Sequence, residues 1–155
     1  MDDILLEPLS EQHLPDVLRI ERASFPAPWT EGMFRQEVEE TWLSRSYIAR
    51  VDGEVAGYII AWFLRGEAHI LNLAVSRDFQ RRGVGRTLLQ HVIDLAEKAD
   101  HHMATLEVRA SNDPAKLLYV TMGFAPVGIR RRYYRDNDED AIVMVRRLGP
   151  ERKKS

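Results

Sequence analysis

A glycine loop between an apolar run and a helical pattern is the feature that most constrains the fold of this 155-residue chain. Residues 80–85 read Gln-Arg-Arg-Gly-Val-Gly, after the apolar run 70–75 and before a helical pattern that begins near Arg86. Glycines let the backbone approach a ligand closely, and the first N–H groups of a helix carry the positive end of its dipole. The segment therefore predicts a strand, a turn and a helix N-terminus arranged as an anion-binding cradle.

Two other phosphate-binding motifs do not fit this loop. A dinucleotide-binding fingerprint needs a small residue where Leu88 stands, and a Walker A loop needs Gly-Lys followed by Ser or Thr, which is absent. The loop therefore matches neither of these motifs.

Composition excludes several classes of protein. The formal net charge is −2 with 30% charged residues, so a strongly basic surface for nucleic acid is not expected. The chain has no cysteine, which excludes disulfides, thiolate metal ligands and a covalent cysteine intermediate. The five histidines lack metal-ligand spacing, and no stretch approaches the ~20 apolar residues of a membrane span. We expect a cytoplasmic protein that binds no metal, nucleic acid or membrane.

The remaining patterns predict a single α/β (α+β) domain over residues 1–150, followed by a disordered tail at 151–155. Asp52-Gly53 between two apolar runs predicts a two-residue hairpin turn, and Ser10, Thr30 and Asp113 are predicted helix N-caps. The predicted strands are 4–9, 47–51, 55–63, 68–75, 105–109, 124–134 and 141–147, and the predicted helices are 10–24, one from Thr30 onward, 86–99 and one ending before Gly123.

Several spaced motifs together resemble the GCN5-related N-acetyltransferases (GNAT), and among them the RimI-type ribosomal-protein alanine N-acetyltransferases. In that family the Gln/Arg-x-x-Gly-x-Gly/Ala loop holds the pyrophosphate of coenzyme A. The resemblance implies a single mixed, mostly antiparallel sheet with helices on both faces. The segments that carry it, besides the loop, are Asn-Leu-Ala-Val at 72–75, Leu-Glu-Val-Arg-Ala-Ser-Asn at 106–112, Leu118-Tyr119 with Gly123-Phe124, and Ile-Arg-Arg-Arg-Tyr-Tyr at 129–134.

The resemblance also implies an activity and roles for particular residues. The implied enzyme is an N-alpha-acetyltransferase that uses acetyl-CoA as co-substrate and transfers the acetyl group directly to a protein N-terminus, with a ribosomal protein bearing N-terminal Ala or Ser as the expected substrate. Glu107 is the implied general base and Tyr119 the implied general acid. Acetyl-CoA is expected at Leu73, Ala74, Val75, Arg81, Arg82, Gly83, Val84, Gly85, Arg86 and Asn112, and the acceptor at Trp29, Tyr133 and Tyr134.

The residue types support these roles and leave alternatives open. Glu107 alternates with Thr105 and Arg109 on a strand, so it is either a base whose pKa modest burial raises or a partner of Arg109 or another cation. Tyr119 either packs a helix on the sheet or protonates a leaving thiolate. His69 is a weak candidate for a proton relay.

Other functions also remain open at this stage. A lysine or small-molecule amine is an alternative acceptor, and a non-catalytic acyl-CoA sensor is an alternative function. An RNA-binding protein organised on Arg130, Arg131 and Arg132 is disfavoured by the acidic residues that follow them. The loop from Phe25 to Trp29 is longer than the Phe-Pro-Trp of some relatives, which predicts a reshaped acceptor pocket.

Overall fold

The computed structural model describes residues 3–149, in which seven strands form one sheet between two layers of helices. The predicted tail at 151–155 and the ends of the predicted domain, residues 1, 2 and 150, lie outside the described residues. The elements in chain order are β1 (Leu5–Pro8), α1 (Leu14–Ser24), α2 (Glu31–Glu39), β2 (Tyr47–Val51), β3 (Glu54–Leu64), β4 (Glu67–Val75), α3 (Val84–Lys98), β5 (Met103–Arg109), α4 (Asp113–Thr121), β6 (Ala125–Tyr134) and β7 (Glu139–Arg147).

The sheet has the order β1-β2-β3-β4-β5-β7-β6, and each neighbouring pair is antiparallel except β4 and β5. The parallel pairing of β4 with β5 begins at Glu67 opposite Met103 and ends at Ile70 opposite Leu106. Since β4 continues to Val75, its last residues separate from β5. The predicted mixed, mostly antiparallel sheet is confirmed, and its one parallel junction opens into a gap.

An irregularity in β4 sets which side chains face this gap. Ile60 of β3 pairs with Asn72 and Ala61 pairs with Ile70, so Leu71 is an extra residue in a β-bulge. Trp62 pairs with His69. Because residues 60 and 62 of β3 share a face, the bulge places His69 and Asn72 on that same face of the sheet.

Two apolar cores cover the two faces of the sheet, which confirms helices on both sides. On one face α3 contributes buried Leu88, Leu89 and Val92, which pack with Ile70 and Leu106. On the other face α1 and α2 pack on Tyr58 and Ile60 of β3. Buried aliphatic side chains of this size contribute roughly 1.5–3 kcal/mol each, so the apolar faces that the helical spacing creates stabilise the packing of the helices on the sheet.

Local sequence patterns predict some element ends and misplace others. Asp52 and Gly53 form the predicted hairpin turn with φ angles of 53° and 80°, as a type I′ turn requires. The Thr30 hydroxyl accepts a hydrogen bond from Met33 N–H at 3.3 Å, which confirms that N-cap.

Ser10 is an N-cap as predicted, but it caps a 3₁₀ turn, Glu11–His13, that leads into α1 at Leu14, and its backbone N–H is bonded to the His13 ring at 3.0 Å. The N-cap predicted at Asp113 was wrong. Asn112, not Asp113, caps α4 through a hydrogen bond from Ala115 N–H to its side-chain oxygen at 3.2 Å.

Candidate active site

A cleft of about 760 Å³ opens where β4 and β5 separate. Its walls come from β4, β5, α4, the loop after α1, and the hairpin that joins β6 to β7. Residues far apart in the chain therefore meet at one opening in the sheet. The predicted site residues that line it are Trp29, Leu73, Glu107, Asn112, Tyr119, Tyr133 and Tyr134.

The predicted coenzyme loop lies outside this cleft, at the N-terminus of α3. Gly83 is the N-cap residue, with a left-handed φ of 82°, and Arg81 also has a positive φ of 66°. A Cβ added at Gly83 would meet nothing within 4 Å, whereas at Gly85 it would lie 3.6 Å from Leu118 and Val75 side-chain atoms. The predicted turn and helix N-terminus are present, although α3 begins at Val84 rather than near Arg86.

Side chains around the loop differ in what they offer a ligand. Val84 is buried in the core, so only its backbone is available, while Arg81 and Arg86 are exposed. Arg82 lies 4.0 Å from Asp52 and over the ring of Phe79. Two further predicted residues lie between loop and cleft: Ala74 is buried, and Val75 lines a neighbouring depression.

Glu107 lies on the cleft wall with its side chain 11% exposed. His69 Nε2 donates a hydrogen bond to one carboxylate oxygen at 2.8 Å, and Arg130 Nε lies 3.4 Å from the other. The hydrogen bond from His69 lowers the pKa of Glu107 below its ordinary value, and this effect with the charges of His69 and Arg130 outweighs burial, which acts to raise it. The expectation of a raised pKa was therefore wrong, because a donor from the neighbouring strand stabilises the ionised form.

Arg109 is not the partner of Glu107 that one alternative predicted. It bonds both carboxylate oxygens of Asp136 at 3.0 Å and one of Glu139 at 3.2 Å, and its guanidinium lies 4.0 Å from the ring centre of Tyr134. Glu139 also accepts the Ser111 N–H at 2.7 Å. Hydrogen bonds from Ser111 and Arg109 lower the pKa of Glu139 to about 2. These contacts attach the β6–β7 hairpin to the end of β5 and hold Tyr134 on the cleft wall.

Tyr119 packs between helix and sheet, as one interpretation predicted, and it also reaches the cleft. Its ring packs against Phe124 with centroids 5.9 Å apart, and its side chain also lines the cleft. Burial raises the pKa of the Tyr119 hydroxyl well above its ordinary value. The phenol therefore remains protonated at neutral pH.

A buried carboxylate that sequence reasoning missed lines the cleft beside Trp29. Glu21 of α1 is 1% exposed and accepts hydrogen bonds from Tyr58 O–H at 2.5 Å, Asn72 Nδ2 at 2.8 Å and Trp29 N–H at 2.9 Å. The Trp29 ring lies 5.0 Å from that of Phe34. These two contacts fix the loop from Phe25 to Trp29 at its last residue. Helical spacing contained an indication of this, since Glu21 follows the buried Leu14 by seven residues, two turns along the same face.

Within residues 3–149, the structure contains no cluster of three or more His, Asp or Glu side chains suited to a metal ion. No helix in the same range has both the length and the apolar character needed to cross a membrane.

Comparison with known proteins agrees with this geometry. The family model described as "Acetyltransferase (GNAT) family" matches residues 14–124. The chain belongs to this family. Its N-acetyltransferase class and its fold are therefore as predicted, with the glycine loop, β4, β5 and α4 inside the matched range.

Individual relatives are similar over most of their length. The chain is 40% identical over 139 residues to the [Ribosomal protein bS18]-alanine N-acetyltransferase of Escherichia coli (strain K12), covering 88% of this chain and 93% of the relative. It is 34% identical over 142 residues to the N-alpha-acetyltransferase of Sulfurisphaera tokodaii, covering 83% and 84%. The crystal structure of the ribosomal-protein-S18-alanine N-acetyltransferase from Escherichia coli superposes with a TM-score of 0.87 at 36% identity, covering 96% of each chain.

Proposed function

We propose that this GNAT protein transfers the acetyl group of acetyl-CoA directly to the free α-amine of a protein N-terminus, with a ribosomal protein that begins with Ala or Ser as its substrate in the cytoplasm. The observation that carries the proposal is the cleft between β4 and β5, where the ionised carboxylate of Glu107 and the protonated phenol of Tyr119 line one opening. The relatives named as an alanine N-acetyltransferase and as an N-alpha-acetyltransferase support the same acceptor class.

Acetyl-CoA would lie along the separated end of β4. Pairing with β5 ends at Ile70, so backbone groups of Leu73 to Val75 on that edge are available for the acetyl and pantetheine portions, except the Val75 carbonyl, which accepts a hydrogen bond from Gln80 Nε2 at 3.3 Å. The N-terminus of α3, from Arg81 to Arg86, is suited to the pyrophosphate. The Asn112 side-chain oxygen is occupied in capping α4, which leaves its amide N–H groups for the thiol arm.

In the proposed reaction Glu107 accepts a proton and Tyr119 donates one. The acceptor amine loses its proton, through a water, to Glu107, and its nitrogen attacks the thioester carbonyl to form a tetrahedral intermediate. A backbone N–H near Val75 stabilises the oxyanion. When the intermediate collapses, the C–S bond breaks and Tyr119 protonates the leaving thiolate, while the extra proton left on the acceptor nitrogen passes through water to the Tyr119 oxygen and restores the phenol. A binding module that only senses acyl-CoA has no need of this base and acid together.

The lowered pKa of Glu107 favours an α-amine over a lysine as acceptor. An α-amine with an ordinary pKa of ~8 costs about 1.4 kcal/mol to deprotonate at pH 7, whereas a lysine at ~10.4 costs about 4.6 kcal/mol. A carboxylate whose pKa lies below its ordinary value is a weak base, so it suits the more acidic amine.

A peptide assay tests the acceptor class. The enzyme is incubated with acetyl-CoA and peptides that begin with Ala or Ser, and with the same peptides carrying a blocked α-amine and an internal lysine, and the product is located by mass. We expect acetylation at the free α-amine and poor turnover of the blocked lysine peptides near pH 7. The difference in turnover between the two kinds of peptide should become smaller as pH rises. Equal or faster turnover of the lysine peptides would reject the α-amine assignment while leaving the acetyltransferase class intact.

A further inference from the structure

Glu21 is a buried carboxylate at the cleft that the proposed chemistry does not use. Its three hydrogen-bond donors, Tyr58 O–H, Asn72 Nδ2 and Trp29 N–H, are all neutral groups. Neutral donors satisfy the oxygens but leave the negative charge in place. Since Glu21 is only 1% exposed, water screens this charge weakly.

The other charged groups at the cleft are compensated or screened. Glu107 faces His69 and Arg130, and Arg109 is bonded by Asp136 and Glu139. Arg135 also lies on the wall, but it is exposed, and water screens its charge. The second carboxylate on Arg109 leaves one further negative charge, but both Asp136 and Glu139 are partly exposed. Glu21 therefore carries the cleft charge that is almost fully buried and has only neutral hydrogen-bond partners.

The position of Glu21 places this charge beside the reacting end of the cleft. Its Oε1 atom lies 2.8 Å from the side chain of Asn72, which directly precedes Leu73 at the separated end of β4. Asn72 shares a face of the sheet with His69, which contacts Glu107. The Oε2 atom of Glu21 accepts the hydrogen bond from the backbone N–H of Trp29, a proposed acceptor-binding residue. The carboxylate thus lies between the proposed acetyl site and the proposed acceptor site.

We propose that Glu21 is the specificity-determining residue that draws the protonated amine of the acceptor into the cleft and discriminates against acceptors with an uncharged end. This inference rests on the proposed function, because it concerns the acceptor of that reaction. The amine enters as a cation, is held by the field of Glu21, and is deprotonated next to Glu107. Discrimination by charge then precedes the chemical step.

The substitution Glu21→Gln removes the charge at nearly constant shape. The backbone N–H of Trp29 cannot change direction, so the glutamine oxygen would accept from it. The Tyr58 hydroxyl can rotate and the Asn72 amide can turn over, so both can accept from the glutamine NH₂ group. All three hydrogen bonds of residue 21 can therefore form in the uncharged variant. Glu37→Gln is the matched control, because Glu37 of α2 is also a buried glutamate, 8% exposed, and it accepts a hydrogen bond from Trp62 of β3 away from the cleft wall.

The test compares two peptides in the presence of coenzyme A by calorimetry. One begins with alanine and the other begins with lactate, in which a hydroxyl replaces the α-amine. We expect wild type and Glu37→Gln to bind the amine peptide at least about tenfold more tightly than the hydroxyl peptide, as a weakly screened charge pair produces. In Glu21→Gln this ratio should fall below about threefold through weaker binding of the amine peptide, with coenzyme A affinity unchanged.

Other outcomes overturn the inference. An unchanged ratio in Glu21→Gln means that the charge does not select the acceptor, and equal weakening of both peptides means that Glu21 is only structural. If Glu21→Gln does not fold, the variant Asn72→Lys places a cation beside the intact carboxylate. The ratio of amine-peptide to hydroxyl-peptide affinity should then fall in the same way. A ratio like that of wild type would contradict the proposal. Failure of wild type to acetylate any peptide N-terminus would instead reject the proposed function, and the inference with it.

Discussion

His69 and Glu107 meet across the parallel junction of the sheet, with Nε2 of His69 2.8 Å from a carboxylate oxygen. They come from β4 and β5, just before the two strands separate. This contact keeps Glu107 ionised and sets how basic it is. The histidine therefore tunes the proposed base.

Replacing His69 should move the pH dependence of the reaction. The hydrogen bond from His69 is the largest cause of the lowered pKa of Glu107, so His69→Leu should raise that pKa. The acid limb of kcat/KM against pH should then shift to higher pH, because a larger fraction of Glu107 is protonated at a given pH. Arg130→Met should shift it less, since Arg130 is the smallest of the causes. Superimposable acid limbs for His69→Leu and wild type would contradict this account.

Replacing Glu107 should affect turnover and not coenzyme binding. Loss of a general base lowers rates by roughly 10²–10⁴-fold, and we expect a fall in this range for Glu107→Gln. Acetyl-CoA affinity, measured by calorimetry, should remain within about threefold of wild type, because the carboxylate bonds His69 and Arg130 rather than the glycine loop. A wild-type rate with an unaltered pH profile between about 6 and 9 would mean that the ion pair is purely structural.

A side chain at Gly85 should block the coenzyme. A Cβ there would lie 3.6 Å from Leu118 and Val75 side-chain atoms, so a longer side chain has to be accommodated where the loop meets the end of β4 and α4. Gly85→Glu also places a negative charge where a pyrophosphate is expected. We expect acetyl-CoA affinity to fall at least about tenfold in calorimetry for this charge reversal.

The control for that experiment is Gly32→Glu, which adds the same side chain at an exposed position in the first turn of α2. It should bind acetyl-CoA like wild type. Wild-type affinity in a folded Gly85→Glu protein would reject the pyrophosphate assignment.

Loosening the β6–β7 hairpin should weaken acceptor binding. Arg109 bonds Asp136 with two nitrogen-to-oxygen contacts and Glu139 with a third, and it stacks on Tyr134. A lysine is a point charge that cannot reproduce this planar fork, so Arg109→Lys should free the hairpin and Tyr134. Steady-state kinetics should show a several-fold higher KM for the acceptor peptide with the KM for acetyl-CoA little changed. Equal increases in both constants would argue against a role confined to the acceptor side.

The sequence by itself determined the elements whose causes are local. The Asp52-Gly53 turn follows from the low cost of positive φ at those residues, and the Thr30 cap follows from a hydroxyl three residues before an orphan N–H. The order of motifs along the chain also determined the family, and it brought Glu107, Tyr119 and Trp29 forward as residues that the fold collects in one cleft.

Only the tertiary structure decided the charge state and the partners within that cleft. The pKa of Glu107 depends on His69, 38 residues away in the chain, because parallel pairing and the bulge at Leu71 place the two side chains on one face. Arg109 bonds Asp136 and Glu139, which lie 27 and 30 residues away in the chain, and not its near neighbour Glu107. Glu21 reaches Asn72 across 51 residues. Electrostatic energy depends on distance and burial in space, and spacing along the chain does not contain either quantity.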